Sequence, residues 1–517
     1  MNGSQSGNSA GKERMTAGGK GATGSQGNHN RRQPGRGSSG SQNRPARKGA
    51  APTSSVKGSQ TNARVQKPKT SARALAVKVL SAVEQDGAYS NLELNRRLKE
   101  AELSSADVGL ATELVYGTIA RLNTLDYYLE RFVAKGTAKL QPWVRSLLRI
   151  STYQLIYLDR IPEHAVVSEA VNLAKKLGHQ GISGMVNGVL RNMIRNKEQL
   201  HVPSDLPIAQ RISLEHSHPL WMVERWIAQY GEKTTEAICR ANNEPPAVSV
   251  RVNTTMITRD KLMAEMSGAG AVVEASRISP DGILVRSGGN MALTSWYQEG
   301  LFSVQDESSM LVAEAVAPEE GQNVLDCCAA PGGKTAHMAE KMQDRGHIVA
   351  NDVHAHKREL ILNQAERLGL SCIDAVTGDA LDLNKRYKES SFDRILLDAP
   401  CSGLGVIRRK PDVKWTKSVE DIVEISSLQR ELLDRVAPLL KPGGILVYST
   451  CTIESKENED MVADFLGRHP EYQAIETSAW SQPEVANWKT VNGGIQILPQ
   501  HADSDGFYIA RLTRIAD

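Results

Sequence analysis

Two cysteines stand where bond-forming chemistry is possible. Cys401 lies in Asp398-Ala399-Pro400-Cys401-Ser402-Gly403, and Cys451 in Ser449-Thr450-Cys451-Thr452. Each follows a short β-forming run, 392–398 and 445–451, so both thiols are expected at strand ends on one edge of a sheet. Carbon 5 of a cytosine is a poor nucleophile until something adds to carbon 6, and a thiolate suits that addition. With an ordinary thiol pKa of about 8.5, the site must favour ionisation through nearby cations or helix N-termini. A base must then take the proton on carbon 5 before the sulfur can leave. A lone strand-end cysteine is usually a small buried hydrophobe, the reading that suits the thiols of Cys327, Cys328 and Cys372. Shared location sets Cys401 and Cys451 apart.

Upstream, the run 324–328 leads through Ala329-Ala330-Pro331-Gly332-Gly333-Lys334-Thr335 into a helical pattern, an arrangement that lets backbone approach a ligand closely. A Walker A loop would need glycine where Cys328 stands, and the dinucleotide fingerprint G-x-G-x-x-G is absent. A mononucleoside-like ligand follows. Acids close the next strands at Asp352, Asp379 and Asp398. One after the second strand can take both ribose hydroxyls, and one after the third can accept from an adenine amino group. Singly, each is as readily a turn former. Three beside a glycine loop favour the ligand.

Positioning these groups requires β-rich runs alternating with helices, 324–328, 348–352, 373–377, 392–398 and 445–451, which specifies a mostly parallel sheet covered on both faces. The runs 496–499 and 507–512 suit an antiparallel hairpin completing it. Before this α/β domain, 247–252 alternates as a strand, 260–266 reads as a helix and 272–285 as two further strands, a small α+β region. Trp221 and Trp226 precede it in an apparent helix, where they serve packing. Helical periodicity dominates earlier, with segments 92–98, 106–129, 144–158, 166–177 and 185–194 and turn signals at Gly87, Gly136, Pro162 and Gly178.

The 517 residues carry 62 Lys and Arg against 59 Asp and Glu. Residues 1–70 hold thirteen of the basic residues and one acid, a net charge of +12, which leaves −9 for the remainder. This aromatic-free, Gly- and Ser-rich segment cannot bury enough surface to offset ordering entropy and reads as a disordered tail, suited either to RNA phosphates or to solubility alone. Six scattered cysteines without a C-x-x-C pair argue against a disulfide framework and structural zinc. With no apolar run near 18 residues and no signal-peptide stretch, a cytoplasmic protein without membrane attachment is expected.

The motifs Cys328–Lys334 (CAAPGGK), Asp352, Asp379, Asp398–Gly403 (DAPCSG), 406–412 (VIRRKPD) and 449–452 (STCT) together resemble the RsmB/Sun-type bacterial cytosine-5 methyltransferases of small-subunit ribosomal RNA, in the nucleolar protein/Sun group. The resemblance covers roughly residues 71–514. It implies a multidomain chain: a basic tail over 1–70, an all-α NusB-like RNA-binding domain over 71–218, linker helices and an RRM-like α+β region over 219–310, and a Rossmann-type methyltransferase domain over 311–517. Cys328, Ala329, Ala330, Pro331, Gly332, Gly333 and Lys334 would then cradle S-adenosylmethionine, with Asp352 on its ribose and Asp379 by its adenine. Asp398 would border the methyl donor and hydrogen-bond the cytosine. Cys451 would attack carbon 6 and Cys401 would assist release, an order that only the family match assigns. The tail departs from the family pattern.

Arg408, Arg409 and Lys410 follow the Cys401 loop and are candidates to grip phosphates beside a flipped base, with Trp415 packing nearby; a solvated charge run is the alternative. Arg96, Arg97, Lys175, Lys176, Arg191 and Arg195 form either a nucleic-acid face or ordinary helix surface. His354 and His356 look like a metal pair but fall at a helix start, and no metal is expected. The reading is a monomeric 16S ribosomal RNA (cytosine-C5) methyltransferase. Transfer RNA as the substrate, or an assembly factor without catalysis, are the alternatives.

Overall fold

A computed structural model describes residues 70–477, 480 and 483–516; the basic tail of 1–69 lies outside the described residues. The chain becomes helical where apolar periodicity begins. The Ser71 hydroxyl accepts from the Ala74 amide to cap the helix Ala72–Asp86, which ends on Gly87 at a φ of 62°. Further helices include Ser90–Glu100, Pro142–Tyr157, Glu163–Leu177 and Gln180–Arg195, around a core that contains Leu75, Leu114, Leu125, Leu148 and Leu190.

The single helical segment expected over 106–129 is two helices, Ser105–Ala120 and Leu122–Glu130. Apolar periodicity runs through the break, but the break is decided by partners far along the chain. The Ser217 hydroxyl accepts from the Asn123 amide at 2.9 Å, starting the second helix. The freed carbonyls of the first helix accept from the catalytic domain: Ile119 from the Trp415 indole at 2.8 Å and Ala120 from Lys414 Nζ at 2.8 Å. A cation at a helix C-terminus meets the negative end of the dipole.

The small domain is a four-stranded antiparallel sheet of β1 (Val248–Val252), β2 (Val272–Ala275), β3 (Gly282–Ser287) and β4 (Phe302–Val304), ordered β2-β3-β1-β4, with the helix Arg259–Gly268 between β1 and β2. The alternation expected for β1 does not translate into one wet face, because its last four residues are all buried. Val250 and Val252 face the domain's own core, while Arg251 enters the catalytic domain. There it binds Glu340 through Nε at 2.9 Å and Nη2 at 2.7 Å, and donates to the Gly333 carbonyl at 2.8 Å.

In the catalytic domain, β5 (Asn323–Asp326), β6 (His347–Asp352), β7 (Ile373–Thr377), β8 (Phe392–Asp398) and β9 (Leu440–Thr450) pair in parallel in the order β9-β8-β5-β6-β7. Strand order reverses between β5 and β8, the switch point where ligands sit at carboxyl ends. The strand β12 (Phe507–Arg514) runs antiparallel to β9 and pairs with both β11 (Ile495–Ile497) and β10 (Tyr472–Ala474). The hairpin is as expected; β10 is too short to stand out in the sequence. Apolar side chains fill both sheet faces, among them Val324, Ile348 and Val447 on one and Leu325, Leu397 and Leu446 on the other.

Arg251 and Glu340 are both essentially inaccessible to solvent, and breaking one side of such a buried pair typically costs about 3–5 kcal/mol. Arg251→Met should therefore lower the urea midpoint of the full chain. An unchanged midpoint would show that the pair does not key the small sheet to the catalytic domain.

Candidate active site

The glycine loop is shaped by backbone that only glycine tolerates. Gly332 has a φ of +101°, and a Cβ there would stand 3.2 Å from the Ile361 Cα. No side chain caps the helix Gly333–Lys341 that follows, so its first-turn N–H groups are available to a ligand. Asn351 braces the loop from β6, donating to the carbonyls of Cys327 and Gly378 at 3.0 Å each. Asp352 is buried at the end of β6, its Oδ1 accepting from the His354 amide at 3.1 Å with Lys357 at 3.5 Å. Asp379 is exposed on the same sheet edge, where it caps a short turn through the Leu381 amide at 3.0 Å. Cys328 is half-buried in the loop, and burial pushes its thiol well up.

Asp326 is one residue that the sequence reading passed over as strand. It is buried, accepts from the Thr335 hydroxyl at 2.7 Å, and its Oδ1 has no hydrogen-bond partner among the described residues. Burial pushes its carboxyl up to about 7. The missed signal was its place: like Asp352 and Asp398, it ends a strand.

The two cysteines meet. Asp398 and Ser449 are register partners on β8 and β9, so the loops beyond them leave side by side, and the Cys401 and Cys451 sulfurs lie 3.2 Å apart. Beneath them the Asp398 carboxylate accepts from Lys334 Nζ at 2.7 Å and from the Ser449 hydroxyl at 2.8 Å. Burial opposes the charge on Lys334, but Asp398 more than offsets it and raises its pKa. The thiols diverge. The hydrogen bond from Cys401 pulls Cys451 down, helped by Lys334 and Lys410 against burial and Asp398. The same bond, together with burial, pushes Cys401 up. The arrangement favours ionisation of Cys451 over that of Cys401.

Holding the sulfurs in place falls to residues with no evident signal in the sequence. Glu457 is fully buried and bridges both loops: its carboxylate accepts from the Ser402 amide at 2.9 Å, from the Ser402 hydroxyl and from Gln429 Nε2 at 3.0 Å, and the Ser402 hydroxyl contacts that of Thr452 at 2.8 Å. Asn458 donates to the Thr452 carbonyl at 3.0 Å. The Gly405 amide donates to the Cys451 carbonyl at 3.0 Å, and a Cβ on Gly405 would collide with the Gly506 carbonyl oxygen at 1.9 Å. In sequence, Ser455 to Glu459 reads as an ordinary charged turn.

The basic run after Cys401 is divided by its surroundings. Arg409 is bound by Asp505 and Asp306, each at 2.7 Å, and the Arg408 side chain is almost fully buried against the Glu244 and Pro499 carbonyls. Both arginines are thus held by groups of the protein itself, while Arg409 also lines the cavity over the sulfurs. Lys410 is the most exposed of the three, and with Arg409 it borders a cavity of about 370 Å³ lined by both cysteines. Trp415, expected to pack nearby, instead packs against the core of the helical domain. Arg96 and Arg97 are engaged with Glu93, whereas Lys175, Arg191 and Arg195 line a separate surface cavity of about 510 Å³.

Comparison with known proteins places these features. A family model described as 16S rRNA methyltransferase RsmB/F matches residues 313–513, the NusB family matches 70–195, and a ferredoxin-like domain of RsmF/B-type methyltransferases matches 218–292. The probable ribosomal RNA small subunit methyltransferase B of Bacillus subtilis is 44% identical over 446 residues, covering 86% of this chain and 99% of that one. The ribosomal RNA small subunit methyltransferase B of Pseudomonas syringae is 37% identical over 450 residues, covering 86% and 97%. The crystal structure of PH0851 superposes with a TM-score of 0.71 at 25% identity, covering 87% of this chain and all of that one.

Because the Lys334 cation favours ionised Cys451, Lys334→Met should move the pH midpoint for iodoacetamide alkylation of Cys451 upward. Mass spectrometry of the alkylated peptide across a pH series measures it; an unmoved midpoint would remove Lys334 from the activation of the thiol.

Proposed function

The chain belongs to the 16S rRNA methyltransferase RsmB/F family, and on that premise we propose that it methylates carbon 5 of a cytosine in 16S ribosomal RNA through a transient bond to Cys451. The observation that carries this reading is the 3.2 Å contact between two thiols of opposite tendency, set against the Lys334–Asp398 pair.

The cofactor is S-adenosylmethionine, and the residues present fit it: a backbone cradle at Gly332 that a Cβ would fill, an uncapped helix N-terminus and buried Asp352 on one sheet edge. Residues 328–334 would hold it, with Asp352 on the ribose and Asp379 by the adenine. When bound, it supplies an electrophilic methyl carbon.

The protein's own groups perform the rest. Cys451 Sγ adds to carbon 6 of the cytosine, and the electron pair displaced from the ring's double bond makes carbon 5 nucleophilic. Asp398, with Lys334 fixing its orientation, has lone pairs left to accept from the cytosine amino group. After carbon 5 gains its methyl, a base must take the proton on that carbon; the freed electron pair restores the double bond, the carbon 6 to sulfur bond breaks, and its electron pair returns to Cys451. Cys401, in contact with that sulfur, assists release. Reaching the base in folded RNA requires flipping it out of its stack, at a cost of a few kcal/mol, and Lys410 at the cavity offers a phosphate contact that offsets part of it. The helical domain is assigned to positioning RNA, with the protein acting as a monomer.

Cys451→Ala should abolish methyl transfer to unmodified 16S ribosomal RNA while the cofactor still binds by calorimetry; an active variant would exclude this sulfur as nucleophile. Cys401→Ala should instead trap protein on RNA as a slow band on a denaturing gel. Rapid turnover without such a band would leave Cys401 no part in release.

A further inference from the structure

The cavity over the two sulfurs is not closed by the catalytic domain alone. Its wall is completed from the helical domain by Tyr89, Ser90 and Tyr116, opposite Lys410 and Asp412. At about 370 Å³ it falls within the range of small-molecule sites. Tyr89 is 69% exposed at its lip, so its ring is accessible from the cavity.

Asp412 marks the seam between the domains. The helix Ser90–Glu100 has no capping side chain of its own at its N-terminus. Asp412 supplies one from more than three hundred residues away, its Oδ2 accepting from the Ser90 hydroxyl at 2.5 Å and the Ser90 amide at 3.3 Å. Its other oxygen, Oδ1, is buried with no hydrogen-bond partner among the described residues. A buried carboxylate oxygen without a donor costs free energy unless something fills the vacancy, and this one belongs to a residue that lines the cavity.

We propose that this seam is the second half of the nucleotide site: Asp412 Oδ1 accepts a hydrogen bond from an N–H or O–H of the nucleotide in the cavity, and Tyr89 stacks on a neighbouring base of the same RNA strand. The proposal rests on the reading that the substrate is RNA and adds a role for the helical domain within the active site. Stacking on an aromatic ring tolerates any base, so Tyr89 would grip a strand held open around the target without selecting sequence. Asp412 would select for a donor group. The helical domain thereby couples target binding to its own docking, because the carboxylate that caps its helix also faces the substrate.

Steady-state kinetics of the full chain with unmodified 16S ribosomal RNA tests this. Tyr89→Ala should raise the KM for RNA roughly fivefold to a hundredfold, the range expected for one lost stack, with kcat and the KM for S-adenosylmethionine nearly unchanged; Tyr89→Trp should restore the RNA KM. Asp412→Asn keeps an oxygen for the Ser90 cap and turns an NH₂ toward the cavity. It should weaken RNA binding without lowering the thermal midpoint, a split that a purely structural latch would not produce. Binding of oligoribonucleotides with one cytosine, its 2′-hydroxyl or its 4-amino group removed in turn, identifies the donor: the relevant deletion weakens wild type but not Asp412→Asn. Equal sensitivity of both proteins to both deletions would overturn the role of Asp412, and an unchanged RNA KM for Tyr89→Ala would overturn that of Tyr89. A wild-type protein that transfers no methyl to RNA would instead sink the functional reading beneath.

Discussion

Two sulfurs within hydrogen-bond distance impose the main constraint on this molecule. A thiolate needs a donor or a cation close by, and here it has Cys401 in contact and Lys334 and Lys410 near enough to lower its proton affinity. That arrangement exists because β8 and β9 are adjacent and parallel with Asp398 opposite Ser449, so the loops beyond them must run together. Shifting either strand by one residue would turn its loop's side chains to the other face and part the sulfurs. The register is therefore part of the chemistry.

Maintaining the contact calls for buried, hydrogen-bonded carboxylates. Glu457 sits fully buried with no cation against it, satisfied by Ser402 and Gln429, and burial raises its pKa. A second buried carboxylate, Glu454, is bound by Arg225 at 2.6 Å and by the Trp226 indole at 3.0 Å, tying the turn after Cys451 to the helix Leu220–Tyr230. Satisfied buried networks of this kind are geometrically exacting, which suits a site where sulfur positions decide reactivity. The stability they forgo is supplied elsewhere, in the apolar layers on both faces of the sheet.

The domains are joined by the same logic. Lys414 is buried with its ammonium on three oxygens, the carbonyls of Ala120 and Ser217 and Asn243 Oδ1, and burial without a carboxylate pushes its pKa well down. Trp415 and Asp412 flank it with contacts to the helical domain, while Arg251 performs the corresponding task for the small sheet. The segment from Arg408 to Trp415 is thus a run of attachments that begins at the cysteine loop.

Local chemistry was readable in the chain itself. The glycine loop, the acids at Asp352, Asp379 and Asp398, the two strand-end cysteines and a mostly parallel sheet are legible in periodicity and residue type, because a strand's end and a glycine turn are set by interactions a few residues apart. What needed the folded molecule were contacts between distant segments: the break at Arg121, the protein groups that hold Arg408 and Arg409, the buried bridge at Glu457 and the presence of Tyr89 at the cavity. A charged residue looks the same in sequence whether it meets solvent or a buried partner. Only the packing of one domain against another decides which, since burial fixes both its desolvation and the groups within reach.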